Sequence, residues 1–250
     1  MEAVEVTGPA EGRPIVFLHG AGANLAMWNP QVERLSDSFR CVAIDLPGHG
    51  VRTSERFTLE SGIEATRAAI TEQAGGRATV VGLSLGAYVG MATAAAHPEL
   101  VNGLVASGAG VEFQGMTARV NRVQGRLLPA FGPLLGRAAG KALTRITTRE
   151  TAQAIGARGH SFSGAGQAMH DLAGRDFHSQ LTQYSGPVLM LMGERDKPNL
   201  KELPSMIDGV ADVAVQVLED SGHSCALSQP DTFAAAARRF INERVHPAHR

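Results

Sequence analysis

The apolar run from Ala78 to Val81 enters Gly82-Leu83-Ser84-Leu85-Gly86 without a break, and a small-residue helical pattern continues to Ala96. That order reads as a strand, a sharp turn and a helix, with Ser84 at the apex. Such a turn holds its serine in a strained backbone conformation with the hydroxyl exposed. Strand and helix approach closely at Gly82 and Gly86, where a side chain would clash. The segment therefore demands a sheet strand with a helix packed against it, and it makes Ser84 a candidate nucleophile. Glycine is 29 of 250 residues, so the pentapeptide alone is a modest signal. The strand before it and the helix after it give it weight.

The rest of the chain repeats the same alternation. Strands are expected at 4–6, 14–18, 41–44, 78–81, 101–106, 187–192 and 213–218, with helices at 30–35, 59–73, 85–96, 200–207 and 230–244. Continuous apolar runs such as Ile15-Val16-Phe17-Leu18 suit strands covered on both faces. The expected fold class is α/β, with a doubly wound, mostly parallel sheet. In such sheets ligands sit beyond the carboxyl ends of the strands. The rhythm breaks once, between about Val111 and Tyr184, where helical patterns and glycine-broken loops replace strands. That stretch is too long for a structureless loop. The expected organisation is a core over 1–110 and 185–250, with a helical cap over 111–184.

Composition narrows the class. A formal net charge of −1 gives no global field for nucleic acid. No stretch approaches the length of a membrane span, and the first residues carry acids rather than a signal-peptide pattern. A cytoplasmic location is the expectation. Of the two cysteines, Cys41 sits in a strand-like run, where a buried free thiol is expected; a bridge to Cys225 is not called for.

Three further pieces fall at expected strand ends. After the second strand comes His19-Gly20-Ala21-Gly22, a loop able to aim a backbone N–H at the serine's reaction centre. Together with the N–H of Leu85 it would make an oxyanion hole, with Ala21 the first choice and Gly22 the alternative. Asp196 follows the run ending at Met192, and His223 follows the run ending at Leu218. The chain order Ser84, Asp196, His223 is the one expected when a serine elbow is served by an acid and then a histidine. Glu112 and Glu194 are alternative acids. His49 and His19 are read as loop-supporting, and His160, His170 and His178 as surface residues or pocket lining. No spacing resembles a metal site.

These pieces, with Asp45-Leu46-Pro47-Gly48-His49-Gly50, resemble the α/β-hydrolase superfamily, and the segment from Met27-Trp28-Asn29-Pro30-Gln31 through Gly50 resembles its small bacterial serine esterases and enol-lactonases. The resemblance spans nearly the whole chain outside the cap. It implies a sheet lacking one outer strand of an eight-stranded core, no cofactor, and hydrolysis of a small-molecule ester or lactone through an acyl-enzyme. A proton-abstracting lyase of the menaquinone-pathway type, a C–C bond hydrolase and a slow-turnover ligand sensor remain open, as does the oligomeric state.

The cap supplies the one substrate clue. Between Phe113 and His170 lie Arg119, Arg122, Arg126, Arg137, Lys141, Arg145, Arg149 and Arg158, with Glu150 the only acid. The segment is about +7 and the remainder about −8. This is either a solvated basic face or a lid attracting an anionic ester or lactone. Arg119, Arg122 and Arg126 share one helical face, and Val120, Val123 and Leu127 another. Leu127, Leu128, Phe131, Leu134 and Leu135 are candidates for an acyl pocket or for the cap's own core.

Overall fold

In the computed structural model, which describes residues 1–132, 140–141 and 143–245, the run Ile15-Val16-Phe17-Leu18 is buried throughout. Val16 and Leu18 join one apolar cluster, while Ile15 and Phe17 join another across the sheet. Alternation of side chains along a strand thus feeds two cores at once, which is why the strand reads as unbroken hydrophobicity.

Seven strands form the sheet: β1 (Val4–Thr7), β2 (Arg13–Leu18), β3 (Phe39–Ile44), β4 (Ala78–Leu83), β5 (Val101–Ser107), β6 (Val188–Gly193) and β7 (Val213–Leu218). Their order is β1-β3-β2-β4-β5-β6-β7, and only β1 runs antiparallel to its neighbour. β4 reaches Leu83, two residues beyond the sequence expectation. Leu83 pairs with Ser107, and Gly82 pairs with both Leu18 and Ala106. The longer core helices are α1 (Asn29–Leu35), α2 (Leu59–Gln73), α3 (Leu85–Ala96), α8 (Lys197–Ile207) and α9 (Pro230–Phe240). α8 begins three residues early because a proline in its first turn tolerates the missing N–H there. α9 stops at Phe240 and widens into a π-turn over Ile241–Val245.

Between β5 and β6 the described residues hold no strand. They form α4 (Gly115–Leu127), a 3₁₀ turn (Leu128–Phe131), α5 (Arg149–Arg158), α6 (Phe162–Leu172) and α7 (Phe177–Gln183). Thr148, Ser161 and Asp176 cap the last three through their side-chain oxygens. Side-chain latches tie this insertion to the core, among them the following. Ser161 Oγ donates to Gly48 O at 2.6 Å. Asn24 Nδ2 donates to Ile155 O and Gly159 O at 3.0 and 2.9 Å. Arg158 pairs with buried Asp45 at 3.0 Å and with Glu5 at 2.8 Å. Arg158 is therefore neutralised by the core and is no free lid charge. Arg137, Leu134 and Leu135 lie outside the described residues.

The orientation of α4 departs from its apolar pattern. Its small residues Ala118 and Gly125 face inward, and the bulky Met116, Val120, Val123 and Leu127 face solvent. A Cβ at Gly125 would strike the carbonyl of Gly166 on α6, and one at Gly166 would strike Gly125. Backbone contact between the two helices leaves no room for large side chains. Leu127 and Phe131, each 54 % exposed, are thus neither pocket nor cap core, whereas Leu128 does line a cavity.

Candidate active site

Ser84 has φ +53° and ψ −114°, outside the regions a serine ordinarily occupies. The surrounding packing enforces that conformation. A Cβ at Gly82 would be driven into the backbone of Gly86, and one at Gly86 into the carbonyl of Leu18. The Ser84 amide donates to Ser107 O at 2.8 Å, and its carbonyl accepts from Ala87 and Tyr88 of α3. The turn is thus anchored to β5 on one side and to α3 on the other.

Asp196 stands at the end of β6, before α8, and is 6 % exposed. His223 stands in the loop after β7, and its Nδ1 lies 2.8 Å from Asp196 Oδ2. The same oxygen accepts a hydrogen bond from Asn199 Nδ2 at 2.9 Å. Asn199 Oδ1 accepts from Gly110 N at 2.7 Å, so the amide can be oriented only one way. The 3.4 Å between Asn199 Nδ2 and His223 Nδ1 is no second bond, because Nδ1 carries the proton it gives to Asp196. Burial raises the Asp196 pKa, yet the bonds from His223 and Asn199 outweigh it and hold the carboxyl below its usual range. The pair is an ionised acid fixing one imidazole tautomer and leaving Nε2 free.

The two supporting loops are laced together. Glu194 N donates to Leu218 O at 2.9 Å, Arg195 N donates to Ser221 O at 2.8 Å, and Arg195 pairs with Asp220. Glu194 receives the Asp220 amide at 3.1 Å, a bond within this lacing. Glu112 receives the His178 amide at 2.7 Å and makes no contact with His223 among the described residues. Neither alternative acid joins the histidine.

Ser84 and His223 line one cavity of about 400 Å³, together with Leu128, Leu143, Ile146, Ile155, Phe162 and Leu227. Among the described residues the two make no direct hydrogen bond. Ala21 and Leu85 border a smaller cavity beside Ser84. Leu85 opens α3, so its N–H has no acceptor within the helix. The Ala21 loop is held from behind by buried His19, whose Nδ1 donates to Gly20 O at 2.8 Å and whose Nε2 accepts from Leu46 N at 3.0 Å. His49 is buried and donates to Pro47 O. His160 lines the large cavity, His170 a separate cleft, and His178 contacts Asp208 O. Asn199 escaped sequence reasoning, its only signal being its position three residues beyond Asp196. No described group of His, Cys, Asp and Glu is arranged to hold a metal, and both cysteines are free and buried. No described helix is long and apolar enough to cross a membrane.

The chain is similar to pimeloyl-[acyl-carrier protein] methyl ester esterases. The protein from Neisseria meningitidis serogroup C is 29 % identical, over 93 % of this chain and 95 % of its own length. That from Vibrio vulnificus is 27 % identical, over 93 % and 96 %. Among solved structures, an esterase from Thermogutta terrifontis superposes with a TM-score of 0.80 at 25 % identity, covering 98 % of this chain and 94 % of its own. The enol-lactonase from Burkholderia xenovorans gives 0.79 at 21 % identity, covering 96 % of each, a likeness of fold. The sequence pattern of the alpha/beta hydrolase family matches residues 15–236, and with an elbow serine after β4, an acid after β6 and a histidine after β7 the chain belongs to that family.

Proposed function

We propose that this protein is a serine hydrolase that cleaves a carboxylic ester or lactone through an acyl-enzyme on Ser84. The observation that carries the reading is the Asp196–His223 pair, hydrogen-bonded at 2.8 Å and sharing a cavity with a serine held in a strained turn. His223 takes the Ser84 proton as the hydroxyl attacks the carbonyl carbon, and Asp196 stabilises the imidazolium. The N–H groups of Ala21 and Leu85 hold the oxyanion, each such donor being worth about 3 kcal/mol. His223 then protonates the leaving oxygen. Water, activated by the same histidine, releases the acid and restores the serine. The helices between β5 and β6, over 111–184, act as a cap that closes the cavity with Leu128, Ile146 and Ile155. The esterase names of the relatives support this reading.

The test is hydrolysis of p-nitrophenyl esters by the wild type and Ser84→Ala, with fluorophosphonate labelling alongside. The wild type turns over at enzyme-like rates, and Ser84→Ala loses both labelling and roughly a millionfold in kcat. Retained turnover in Ser84→Ala would overturn the assignment. Labelling of the wild type without turnover would move the lyase and ligand-sensor readings ahead.

A further inference from the structure

Two cavities meet at Ser84. The larger, of about 400 Å³, has Ser84, His223 and Ser224 in its wall. The smaller, of about 140 Å³, has Ser84, Ala21 and Leu85 in its wall but not His223 among the described residues. Tyr88, Phe113, Ala168, Met169, Leu172 and Asn121 complete it. Ala21 and Ser84 belong to both, so a carbonyl carbon at Ser84 can extend a substituent in each direction.

Proton transfer distinguishes the two sides. As the ester C–O bond breaks, the leaving oxygen takes its proton from His223 and must lie within hydrogen-bond reach of it. The alcohol therefore starts in the larger cavity. A group in the smaller cavity touches the nucleophile and the oxyanion amides but no proton donor able to serve a leaving group. The Tyr88 hydroxyl is committed to Val111 O at 2.7 Å, and burial pushes its pKa up. That group is the acyl side. At about 30 Å³ for each water-sized group, the space takes about four or five heavy atoms. No Arg or Lys among the described residues borders it, so a carboxylate on the acyl chain would be buried without a counter-charge.

Resting on the Ser84 acyl-enzyme reading, we propose that the smaller cavity is an acyl pocket that selects esters of short, uncharged acids, up to about four carbons. The larger cavity takes a bulky apolar alcohol. In the first half-reaction the Ser84 Oγ–C bond forms, the alkoxy C–O bond breaks, and the alcohol leaves with the proton that Ser84 gave to His223. In the second, water supplies the hydroxyl of the short acid and returns the proton to Ser84. The relatives' named substrate, a methyl ester of a carrier-bound pimeloyl group, has the reverse proportions.

The experiment measures kcat/KM for p-nitrophenyl acetate, butanoate, hexanoate and octanoate, with the leaving group held constant. Wild type, Leu172→Ala, which lengthens the pocket, and Asn121→Phe, which fills it from α4, are compared. The wild type falls at least about tenfold between butanoate and hexanoate, as overfilling a fixed pocket requires. Leu172→Ala moves that fall to longer chains, and Asn121→Phe moves it to shorter ones. A flat or rising wild-type series, or a limit that moves in neither variant, overturns the proposal. If Leu172→Ala does not fold, Asn121→Phe decides alone. Absence of turnover on every ester would sink the hydrolase reading beneath it. Ser84 labelling by methyl- against hexylphosphonate then decides the pocket: a rate that falls with alkyl length in the wild type, and falls more steeply in Asn121→Phe, supports it, and equal rates in the wild type overturn it.

Discussion

Asp196 Oδ2 accepts two hydrogen bonds, from His223 Nδ1 at 2.8 Å and from Asn199 Nδ2 at 2.9 Å. A donor on the carboxylate disperses its charge and so moderates its pull on the imidazolium. Asn199 is thus a positioning residue acting through Asp196. A hydrogen bond to a charged group contributes about 1.5–3 kcal/mol, so Asn199→Ala should cost about 10- to 100-fold in kcat with KM little changed. Asn199→Gln, which keeps the amide donor, should recover part of that rate. A rise in KM matching the loss of kcat, or no recovery in Asn199→Gln, would reduce Asn199 to a structural role. His19 bears on stability instead. Burial holds its pKa well below the usual 6.5 in the folded protein. Below pH 6.5 the unfolded chain takes up the proton and the folded chain does not, so stability falls as pH drops, by up to about 1.4 kcal/mol per pH unit. Urea midpoints measured from pH 7.5 to 5 should show that slope, and His19→Gln should shrink it. An equal slope in His19→Gln would assign it to other groups.

The junction of β4 and α3 shows what a fixed turn costs. The positive φ of Ser84 carries strain of about 1–3 kcal/mol. Glycine relieves it, less about 0.5–1 kcal/mol for its extra freedom when unfolded. Ser84→Gly should therefore be more stable than Ser84→Ala by roughly 1 kcal/mol, both being inactive. Equal thermal midpoints would show that the strain is no larger than the roughly 0.5–1 kcal/mol glycine gives up on folding. Gly86→Ala should lose at least about 2 kcal/mol, since its Cβ meets the Leu18 carbonyl and not a side chain that can rotate away. The strands and core helices were legible in the sequence because each has a period and an apolar run that local chemistry dictates. α4 was legible as a helix but not in its orientation. Its amphipathic pattern points Val120, Val123 and Leu127 at a core, and the backbone contact of Gly125 with Gly166 turns them to solvent. Only a partner helix 41 residues away decides that, and one sequence does not reveal which glycines meet. Asn199 was hidden for the same reason, since its meaning lies in the loop carrying Gly110.

At the scale of the whole molecule, charge is divided between the core and the insertion. Arg158 is spent on Asp45 and Glu5, while Arg119 and Arg126 stand exposed on α4. Neither cavity at Ser84 is bordered by Arg or Lys among the described residues. The basic surface can therefore act on an anion only as it approaches, through a field with a range of about 8–10 Å at ordinary salt. Among the described residues no Arg or Lys is placed to stabilise charge at the reacting carbon. For an acetate ester whose alcohol carries a carboxylate, kcat/KM should fall as salt rises from 20 to 500 mM while kcat holds, on the order of threefold or more in kcat/KM. A neutral acetate ester of the same size should show neither change. Arg119→Glu with Arg126→Glu should weaken the salt dependence of the charged ester and leave the neutral one alone. A parallel fall in kcat would mean that a cation reaches the bound substrate. Equal salt dependence for both esters would leave the positive surface as solvated charge with no part in substrate capture.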